Sequence, residues 1–376
     1  MSPGTRLPRL RQSMAGAGVD AVLVSQPESR RYLSGYSGSD LPPRESAGYL
    51  LVTGDRQYLL TDPRTEGQAA AEAPSFELRV YGGTSRMSDV LRDLVTELGI
   101  ARIGFEAHHL SYGSWRQLTE ALEDKASLLP TPDIIDQLRS VKDPDEIDAI
   151  RNSVALNDAA FAFLARQLRP GVSELDLAWE TERYFRTHGA EGVSFDPITV
   201  AGPNTAIPHA RPGERLVESD DLVIFDMGAK LHGYCSDMTR TICIDSVPDP
   251  FSDIWQIVLG ALSEAEQRVQ IGMTGTELDA VARGVIEKSG YGDAFVHGLG
   301  HGIGLEVHEP PWVTRTRGDM VLQQGMVFSI EPGIYLPGTG GVRIEDLVLL
   351  TERGAEVLCS SPKKLRLAEV LSDLDR

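Results

Sequence analysis

Two segments in the C-terminal half of the chain each place two carboxylates at equal distances from a polar turn. In VIFDMGAKLHGYCSDMTRT, the midpoint of Asp226 and Asp237 is 231.5, within the turn KLHG. In MVFSIEPGIYLPGTGGVRIEDLV, the midpoint of Glu331 and Glu345 is position 338, within PGTGG. Apolar residues flank both turns, a pattern that predicts two β-hairpins. In hairpins of this register, the two carboxylates of each pair face each other with Cβ atoms roughly 5 Å apart.

Facing pairs of like charges destabilise a hairpin unless a cation lies between them. A third segment, FVHGLGHGIGLEVHEPP, contributes His301 among glycines that allow close approach of the backbone and argue against a helix. Four carboxylates and one imidazole provide enough ligands for two divalent ions side by side. The residues therefore predict a binuclear metal site with the ligands Asp226, Asp237, His301, Glu331 and Glu345.

Other polar side chains near these segments are candidates for contacts with a substrate. His297 and His308 share the glycine-rich segment with the predicted metal ligand, although a single histidine is more often a core residue than a ligand. His209 lies in the proline-rich loop PNTAIPHARPGE, and loops carry substrate contacts disproportionately. Arg343 points to the same face as Glu345 in a regular strand, where it can pair with the carboxylates or hold an anionic group of a substrate.

Length, charge and cysteine content narrow the class of protein. A chain of 376 residues is too long for one ordinary core, which predicts two domains. The net charge of −19 argues against nucleic acid and anionic membranes as partners, since both attract basic surfaces. We find no apolar run that suits a membrane span or a secretory signal. The three cysteines form no CxxC pair, so we expect free thiols in a reducing cytoplasm.

The first 132 residues alternate strand-like and helix-like segments, the pattern of an α/β domain. The predicted strands are AVLVS, YLLVT, QYLLT and ARIGF, and the predicted helices cover 7–17, 64–73 and 88–98. After the prolines of PTP, a new helix is predicted with Asp143 as its cap, Pro144 at its first position and Glu146 at its third. We therefore place a domain boundary between residues 132 and 133.

The second domain contains a faint internal echo. SELD at 173–176 and TELD at 276–279 are each predicted to begin a helix of similar length, with Ser173 and Thr276 as the caps. Apolar strands follow each helix after glycine-containing turns. The echo predicts two related halves, and a chance similarity between two capped helices is the alternative.

Together these motifs resemble the pita-bread metallopeptidases, and among them the Xaa-Pro peptidases, prolidase and aminopeptidase P. The first domain, with RYLSGYSGSD, is similar to the creatinase-type N-terminal domain of that group, and LRSVKDPDEI is similar to the usual start of its catalytic domain. The resemblance implies an α/β creatinase-like domain at 1–132. At 133–376 it implies an α+β pita-bread domain, a pseudo-two-fold antiparallel sheet with helices.

The resemblance also implies a role for each matching residue. Asp226 would bind one metal ion, and Asp237 and Glu345 would bridge both. His301 and Glu331 would complete the other metal site, with Glu331 also moving a proton. The residues that would contact the substrate and its transition state are His209, His297 and His308, and Arg343 matches the arginine that precedes the last ligand.

The implied reaction is hydrolysis of the bond between an N-terminal residue and proline, in a cytoplasmic homodimer that acts on short peptides with proline in the second position. Manganese is the expected metal, with zinc, cobalt and iron as alternatives. Dipeptidase and aminopeptidase activities stay open, and Arg315 and Arg317 are candidates to grip the carboxylate of a dipeptide. Other activities on the fold are a methionine-type aminopeptidase, a lyase or hydrolase of a small molecule, and a non-catalytic peptide-binding module.

Overall fold

The chain divides into two units, Met1–Arg139 and Ser140–Arg376. The computed structural model describes residues 3–40 and 45–376 of the chain. The boundary predicted at 132/133 precedes this division by a segment that includes a short helix, Asp136–Ser140. It stays a prediction.

The first unit is an α/β domain built on a mixed sheet of six strands in the order β4-β3-β2-β1-β5-β6. The strands are β1 (Ala21–Val24), β2 (Tyr49–Thr53), β3 (Gln57–Thr61), β4 (Glu77–Val80), β5 (Arg102–Phe105) and β6 (Ser127–Pro130). The helices are α1 (Pro3–Ala17), α2 (Pro27–Ser34), α3 (Glu66–Glu72), α4 (Met87–Leu98), α5 (Tyr112–Ala121) and α6 (Asp136–Ser140). The four predicted strands and three predicted helices of this region are confirmed. Strands β1 and β2 are buried nearly throughout, because side chains of the sheet's two faces are both covered.

The second unit combines antiparallel sheets with helices. Its strands are β7 (Gly192–Val193), β8 (Ile198–Ala201), β9 (Leu222–Met227), β10 (Ala229–Leu231), β11 (Tyr234–Cys235), β12 (Met238–Cys243), β13 (Gly300–Gly302), β14 (Glu309–Val313), β15 (Val327–Ile330), β16 (Gly333–Leu336), β17 (Gly340–Arg343), β18 (Asp346–Thr351) and β19 (Gly354–Val357). Its helices are α7 (Pro144–Gln167), α8 (Glu174–Thr187), α9 (Phe251–Arg268), α10 (Gly275–Lys288) and α11 (Leu367–Leu374). The sheets are β12-β9-β8, β11-β10-β7, β14-β13-β15-β18-β19 and β16-β17.

Helix α7 begins as predicted and holds the strand that carries the first carboxylate. The Glu146 carboxylate accepts the Asp143 backbone N–H at 3.0 Å, which satisfies one of the unpaired donors at the helix start. Further along, the Ser153 hydroxyl donates to the Ala229 carbonyl at 2.8 Å, and the Asn157 amide donates to the Met227 carbonyl at 2.7 Å. Two buried side chains of α7 therefore fasten the backbone on either side of Gly228, directly after Asp226.

The internal repeat is present, but its alignment differs from the prediction. Ser173 caps α8 by accepting the Asp176 N–H, and the equivalent cap of α10 is Thr274, which accepts the Glu277 N–H. Thr276 as a cap was therefore wrong. The same two caps each form an isolated antiparallel bridge, Ser173 with Leu216 and Thr274 with Val321. In each half, this bridge connects the start of the capped helix, α8 or α10, to a later segment. The capping contacts, rather than the shared letters ELD, therefore define the repeat.

The first hairpin has a register one residue away from the predicted one. Lys230 pairs with Cys235 and Leu231 with Tyr234, which leaves a two-residue turn at His232 and Gly233. Both turn residues have positive φ, 51° and 83°, as a type I′ turn requires. The predicted four-residue turn KLHG was wrong, and the midpoint is 232.5 rather than 231.5.

The same register continues through β9 and β12, where Thr239 lies opposite Asp226. Asp237 is therefore a diagonal neighbour of Asp226 on the same face of the hairpin. The predicted direct facing of these two carboxylates was wrong, but both still reach the same side.

The second hairpin has the predicted register. Gly333 pairs with Arg343 and Leu336 with Gly340, and on the far side of a short break Ile330 pairs with Asp346. All of these pairs are centred on position 338, so Glu331 and Glu345 lie opposite each other at the break between the two ladders.

Candidate metal centre

Five acidic and histidine side chains from separate elements converge on one cavity of the second unit. Asp226 lies near the end of β9 and Asp237 directly precedes β12, whereas His301 is the central residue of β13. Glu331 follows β15, and Glu345 lies between β17 and β18. All five line a cavity of about 570 Å³, together with His209, His297, His308 and Arg343. The structure thus brings together the five predicted metal ligands, the three candidate substrate histidines and Arg343.

The innermost group consists of Asp237, His301 and Glu345, which offer ligand atoms within 4.8 Å of one another. His301 Nε2 lies 3.7 Å from Asp237 Oδ2 and 3.4 Å from Glu331 Oε1. The other ring nitrogen, Nδ1, lies 3.2 Å from the Gly302 carbonyl and donates to it. This contact selects the tautomer whose Nε2 lone pair faces the carboxylates, the arrangement usual for a metal-binding histidine.

The protonation states in this group are set mainly by burial. Burial, followed by the charges of neighbouring carboxylates, holds the pKa values of Asp237 and Glu345 well above their usual range. Burial also raises the pKa of Glu331 to about 8 and lowers that of His301 to about 3. When ionised, four carboxylates at close range repel one another, and a neutral imidazole does not offset the repulsion. A bound cation would make the arrangement favourable.

Two oxygen atoms of the cluster are buried and lack partners. Within the described part of the chain, Asp237 Oδ1 and Glu345 Oε1 have no hydrogen bond, although Glu345 Oε2 accepts the Thr239 hydroxyl at 2.7 Å. A buried carboxylate oxygen without a partner carries its full desolvation cost. These unmatched acceptors point into an oxygen-rich cluster with one imidazole, so the residues fit divalent metal ions.

Arg343 connects the acidic cluster to its surroundings. It is buried, and its Nη2 lies 2.5 Å from Asp226 Oδ2, so pairing with a carboxylate, the first of the two predicted alternatives, is the one observed. Its Nε donates to the Thr239 hydroxyl at 3.1 Å, and its Nη1 donates to the Tyr335 hydroxyl at 2.7 Å and to the Pro208 carbonyl at 3.3 Å. One side chain therefore positions residues from both hairpins and from the loop before β9.

The three candidate substrate histidines differ in how the protein holds them. His297 uses both ring nitrogens within the protein, since Nδ1 donates to the Gly298 carbonyl at 2.7 Å and Nε2 accepts the Tyr335 hydroxyl at 2.9 Å. By contrast, His209 and His308 have no side-chain hydrogen bond among the residues described, and both are exposed to the cavity. The His308 ring packs edge-on against His301, with centroids 4.2 Å apart. Of the three candidate substrate histidines, His209 and His308 therefore have ring nitrogens available for a substrate, as far as the described residues show.

Comparison with known protein families assigns both units of the chain. The model of metallopeptidase family M24 matches residues 148–352, and the model of the creatinase/prolidase N-terminal domain matches residues 6–141. The chain belongs to metallopeptidase family M24. It combines the creatinase-type N-terminal domain with the pita-bread catalytic domain, and membership of the family implies divalent metal ions at the acidic cluster.

Its relatives in the M24 family carry names from both branches of the Xaa-Pro peptidases. The Xaa-Pro dipeptidase of Pyrococcus furiosus is 35% identical over 363 residues, which cover 96% of this chain and 99% of the relative. The structure of a Xaa-Pro dipeptidase from Bacillus anthracis superimposes with a TM-score of 0.91 at 39% identity, covering 97% of this chain and 99% of that one. An X-Pro aminopeptidase from Thermotoga maritima gives a TM-score of 0.84 at 37% identity, covering 94% and 99%.

Three side chains of the M24 site were missed by the sequence analysis. Thr239 and Tyr335 join the hydrogen-bond network of Arg343, and the Ser329 hydroxyl donates to Glu331 Oε1 at 3.2 Å. Thr239 lies opposite Asp226 in the hairpin, so a correct register would have found it. Tyr335 and Ser329 carry no signal of their own in the sequence. Over residues 3–40 and 45–376, no helix combines the length and the apolar character needed to cross a membrane.

Proposed function

We propose that this chain is a binuclear Xaa-Pro peptidase, which hydrolyses the peptide bond between an N-terminal residue and proline. The observation that supports it most is the buried acidic cluster with two unpartnered carboxylate oxygens at the base of a cavity. The names of the relatives, Xaa-Pro dipeptidase and X-Pro aminopeptidase, support the choice of substrate.

The proposed ligands divide between two ions. Asp226 would hold one ion, His301 and Glu331 would hold the other, and Asp237 and Glu345 would contact both. Manganese is our first choice for this oxygen-rich set, with zinc, cobalt and iron as alternatives. When bound, divalent ions would polarise the peptide carbonyl and lower the pKa of a water molecule.

Glu331 is the proposed proton carrier. Without bound ions, burial raises its pKa to about 8, so this carboxyl retains a proton more readily than an exposed glutamate does. Its side chain is 18% exposed, more than that of Asp237, so one oxygen can reach a substrate. We propose that Glu331 accepts the proton of the attacking water and delivers it to the proline nitrogen that leaves.

His308 and His209 are the proposed hydrogen-bond donors to the developing oxyanion. Burial lowers the pKa of His308, so its ring is neutral at pH 7 and can donate from one nitrogen without a charge. His297, whose nitrogens are both engaged, would act by supporting Tyr335 and the cavity wall. That His297 contacts the substrate or its transition state stays a prediction, and in this structure both of its ring nitrogens are bonded within the protein.

Part of the cavity wall is apolar and suits a proline ring. It is lined by Phe195, Pro197, Ile198, Pro208, Pro212 and Trp312. Proline has no backbone N–H that needs a hydrogen-bond partner, and its ring is rigid and apolar. Burying it against an apolar surface therefore carries little free-energy cost.

The choice between dipeptidase and aminopeptidase depends on whether a group in this cavity can hold the free carboxylate of a dipeptide. Arg317 lines the cavity and stacks on Trp312, with its guanidinium carbon 4.6 Å from the ring centroid, whereas Arg315 does not line it. We propose Arg317 as the group that would hold the free carboxylate of a dipeptide. Comparing Ala-Pro with Ala-Pro-Ala tests this, because Arg317→Met should weaken cleavage of the dipeptide and spare the tripeptide. Equal losses on both peptides would contradict it.

Two further properties are part of the proposal. We propose a cytoplasmic location, since the three cysteines are free and buried, as in a reducing compartment. We also propose a homodimer, which rests on the resemblance to Xaa-Pro peptidases alone.

Metal removal is the decisive experiment. Dialysis against a chelator should abolish hydrolysis of Ala-Pro, and Mn²⁺ should restore it with two ions per chain by elemental analysis. A peptide with an N-terminal methionine and no proline serves as the control for a methionine-type aminopeptidase. Full activity in exhaustively metal-free protein would exclude the metallopeptidase mechanism, and cleavage of the control alone would change the substrate class.

A further inference from the structure

Glu174, the first residue of α8, is a completely buried carboxylate that the proposed mechanism does not use. Its Oε1 accepts the Ala201 backbone N–H at 2.8 Å and the Asn204 side-chain amide at 2.9 Å. Its Oε2 accepts the Gly213 backbone N–H at 2.9 Å. No ion pair of this carboxylate within 4.0 Å occurs in the described ranges, so these three donors stabilise it together with the more distant charge of Arg215.

The three hydrogen bonds hold together the two ends of the loop 201–213, which we call its neck. Ala201 and Gly213 are the residues at its two ends, and both donate to the same carboxylate. The loop from 201 to 213 supplies a continuous part of the cavity wall, namely Pro208, His209, Ala210, Arg211 and Pro212. Burial of a charged carboxylate costs several kcal/mol unless hydrogen bonds compensate it. The Glu174 side chain therefore holds the two ends of the loop together, alongside the Leu175 N–H, which donates to the Gly213 carbonyl at 3.1 Å.

His209 depends on the loop for its position. Its imidazole makes no hydrogen bond among the residues that the structure describes, so the backbone of the loop determines where the ring lies. Two other contacts hold the loop from the opposite side. The Thr205 hydroxyl accepts the Gly341 N–H at 2.8 Å, and the Pro208 carbonyl accepts from Arg343. Together, the contacts to Glu174, Gly341 and Arg343 hold the loop at five residues, namely Ala201, Asn204, Thr205, Pro208 and Gly213.

The repeat shows that the fold itself does not require a carboxylate here. The position that follows the cap is Glu174 in the first half and Gly275 in the second. A Cβ on Gly275 would lie 2.0 Å from the Trp312 carbonyl oxygen, so backbone packs there instead of a side chain. The second half thus builds the same helix start without a buried charge, and the charge is particular to the half that carries the His209 loop.

We propose that Glu174 is a positioning residue, whose carboxylate fixes the loop 201–213 and through it the ring of His209. This inference rests on the proposed function for its kinetic consequences, but its structural part does not. Glu174→Gln keeps the shape of the side chain and places an NH₂ group against one of the three donors. The loop should then shift while the metal ligands stay in place.

A double-mutant cycle with His209→Ala tests the proposal. We expect Glu174→Gln to lower kcat/KM by about 10²-fold, since misplacement of a catalytic group by 1 Å costs about that much. In the His209→Ala background the same change should cost no more than about 3-fold, because the group it positions is gone. Metal content should stay normal. Glu182→Gln is the matched control, since Glu182 lies on the same helix, pairs with Arg186 at the surface and should leave kcat/KM unchanged.

Hydrogen exchange supplies a readout that does not require peptidase activity. In Glu174→Gln, peptides covering 201–213 should exchange faster, whereas peptides covering 222–243 should exchange as in the wild type. Normal kcat/KM in folded Glu174→Gln, equal losses in both backgrounds, or faster exchange in both regions would overturn the proposal. If the wild type cleaves no Xaa-Pro peptide, the proposed function fails and the exchange data still decide the role of the neck.

A milder variant covers the case in which Glu174→Gln does not fold. Asn204→Ala removes one of the three bonds and changes no charge. We expect a smaller fall in kcat/KM, which disappears in the His209→Ala background, and faster exchange in 201–213 alone. An Asn204→Ala protein whose fall in kcat/KM persists without His209 would contradict the proposal.

Discussion

Removal of divalent ions should make this protein less stable as the pH rises from 6.5 to 8. The native pKa of Glu331 is about 8, against an ordinary value of 4.5, so the folded protein keeps a proton that the unfolded chain releases. Stability then falls with rising pH throughout the interval between these values. His297 and His301 act in the opposite direction, since burial lowers their native pKa values to about 3 from 6.5. At pH 6.5 the unfolded chain still holds half of these protons, so each histidine adds about 0.4 kcal/mol of stability between pH 6.5 and 8, which is less than Glu331 removes.

The magnitude follows from the same linkage. For each proton that only the folded protein retains, the free energy of unfolding falls by about 1.4 kcal/mol per pH unit. The fall is smaller close to pH 8, because Glu331 is half titrated there. Glu331 alone should therefore lower the free energy of unfolding by about 1.5 kcal/mol. Asp237 and Glu345, whose pKa values are also raised, add to the loss.

Urea unfolding of chelator-treated protein at pH 6.5, 7.0, 7.5 and 8.0 measures this effect. With saturating Mn²⁺ the slope should vanish or reverse, because bound ions require ionised carboxylates. Glu331→Gln is the matched control, since an amide does not titrate and should remove most of the 1.5 kcal/mol. Glu266, whose pKa is raised to about 7, contributes the same small term to both proteins. Metal-free protein whose stability is constant or rises with pH would refute the electrostatic account of the cluster.

Three other predictions concern single side chains. Arg343→Lys replaces a planar group that donates to four partners, so kcat/KM should fall by about 10²-fold and a near-normal value in steady-state kinetics would contradict the hub role. Gly228→Ala would place a Cβ 1.9 Å from the Ser236 carbonyl oxygen and should destabilise the protein by about 3 kcal/mol, whereas Gly260→Ala, in open space on a helix, should stabilise it by about 0.5–1 kcal/mol in the same urea titration. Glu331→Gln should lower kcat by about 10²–10⁴-fold without loss of stability in the metal-free protein, and near-normal turnover would remove it from proton transfer.

The second hairpin was predictable because its turn chemistry and its pattern agree. PGTGG marks the turn, and apolar residues at equal distances on both sides leave one register in which Glu331 and Glu345 face each other. The register of the first hairpin was less predictable, because KLHG can form either a four-residue turn or a two-residue turn. His232 adopts positive φ, which is uncommon outside glycine, and this choice moves Asp237 by one position relative to Asp226.

The roles of the histidines could not be predicted, because they depend on neighbours distant in sequence. His297 looks equivalent to His308 in the glycine-rich segment. Tyr335, thirty-eight residues further along, occupies the Nε2 atom of His297, and no comparable group reaches His308 within the described residues. The same holds for Glu174, which reads as an ordinary first-turn glutamate of a helix until the loop 201–213 folds over it.

By itself the sequence determined the inventory of the site and the order of its elements. Hydrophobic alternation, turn residues and caps act over a few positions, and they place four carboxylates and a histidine on strands and loops of two related halves. The tertiary structure alone decided which of those groups is charged, which is hydrogen-bonded and which stays available to a ligand. Those properties arise from burial and from contacts between segments more than a hundred residues apart, such as Arg343 with Asp226, and no local pattern encodes them.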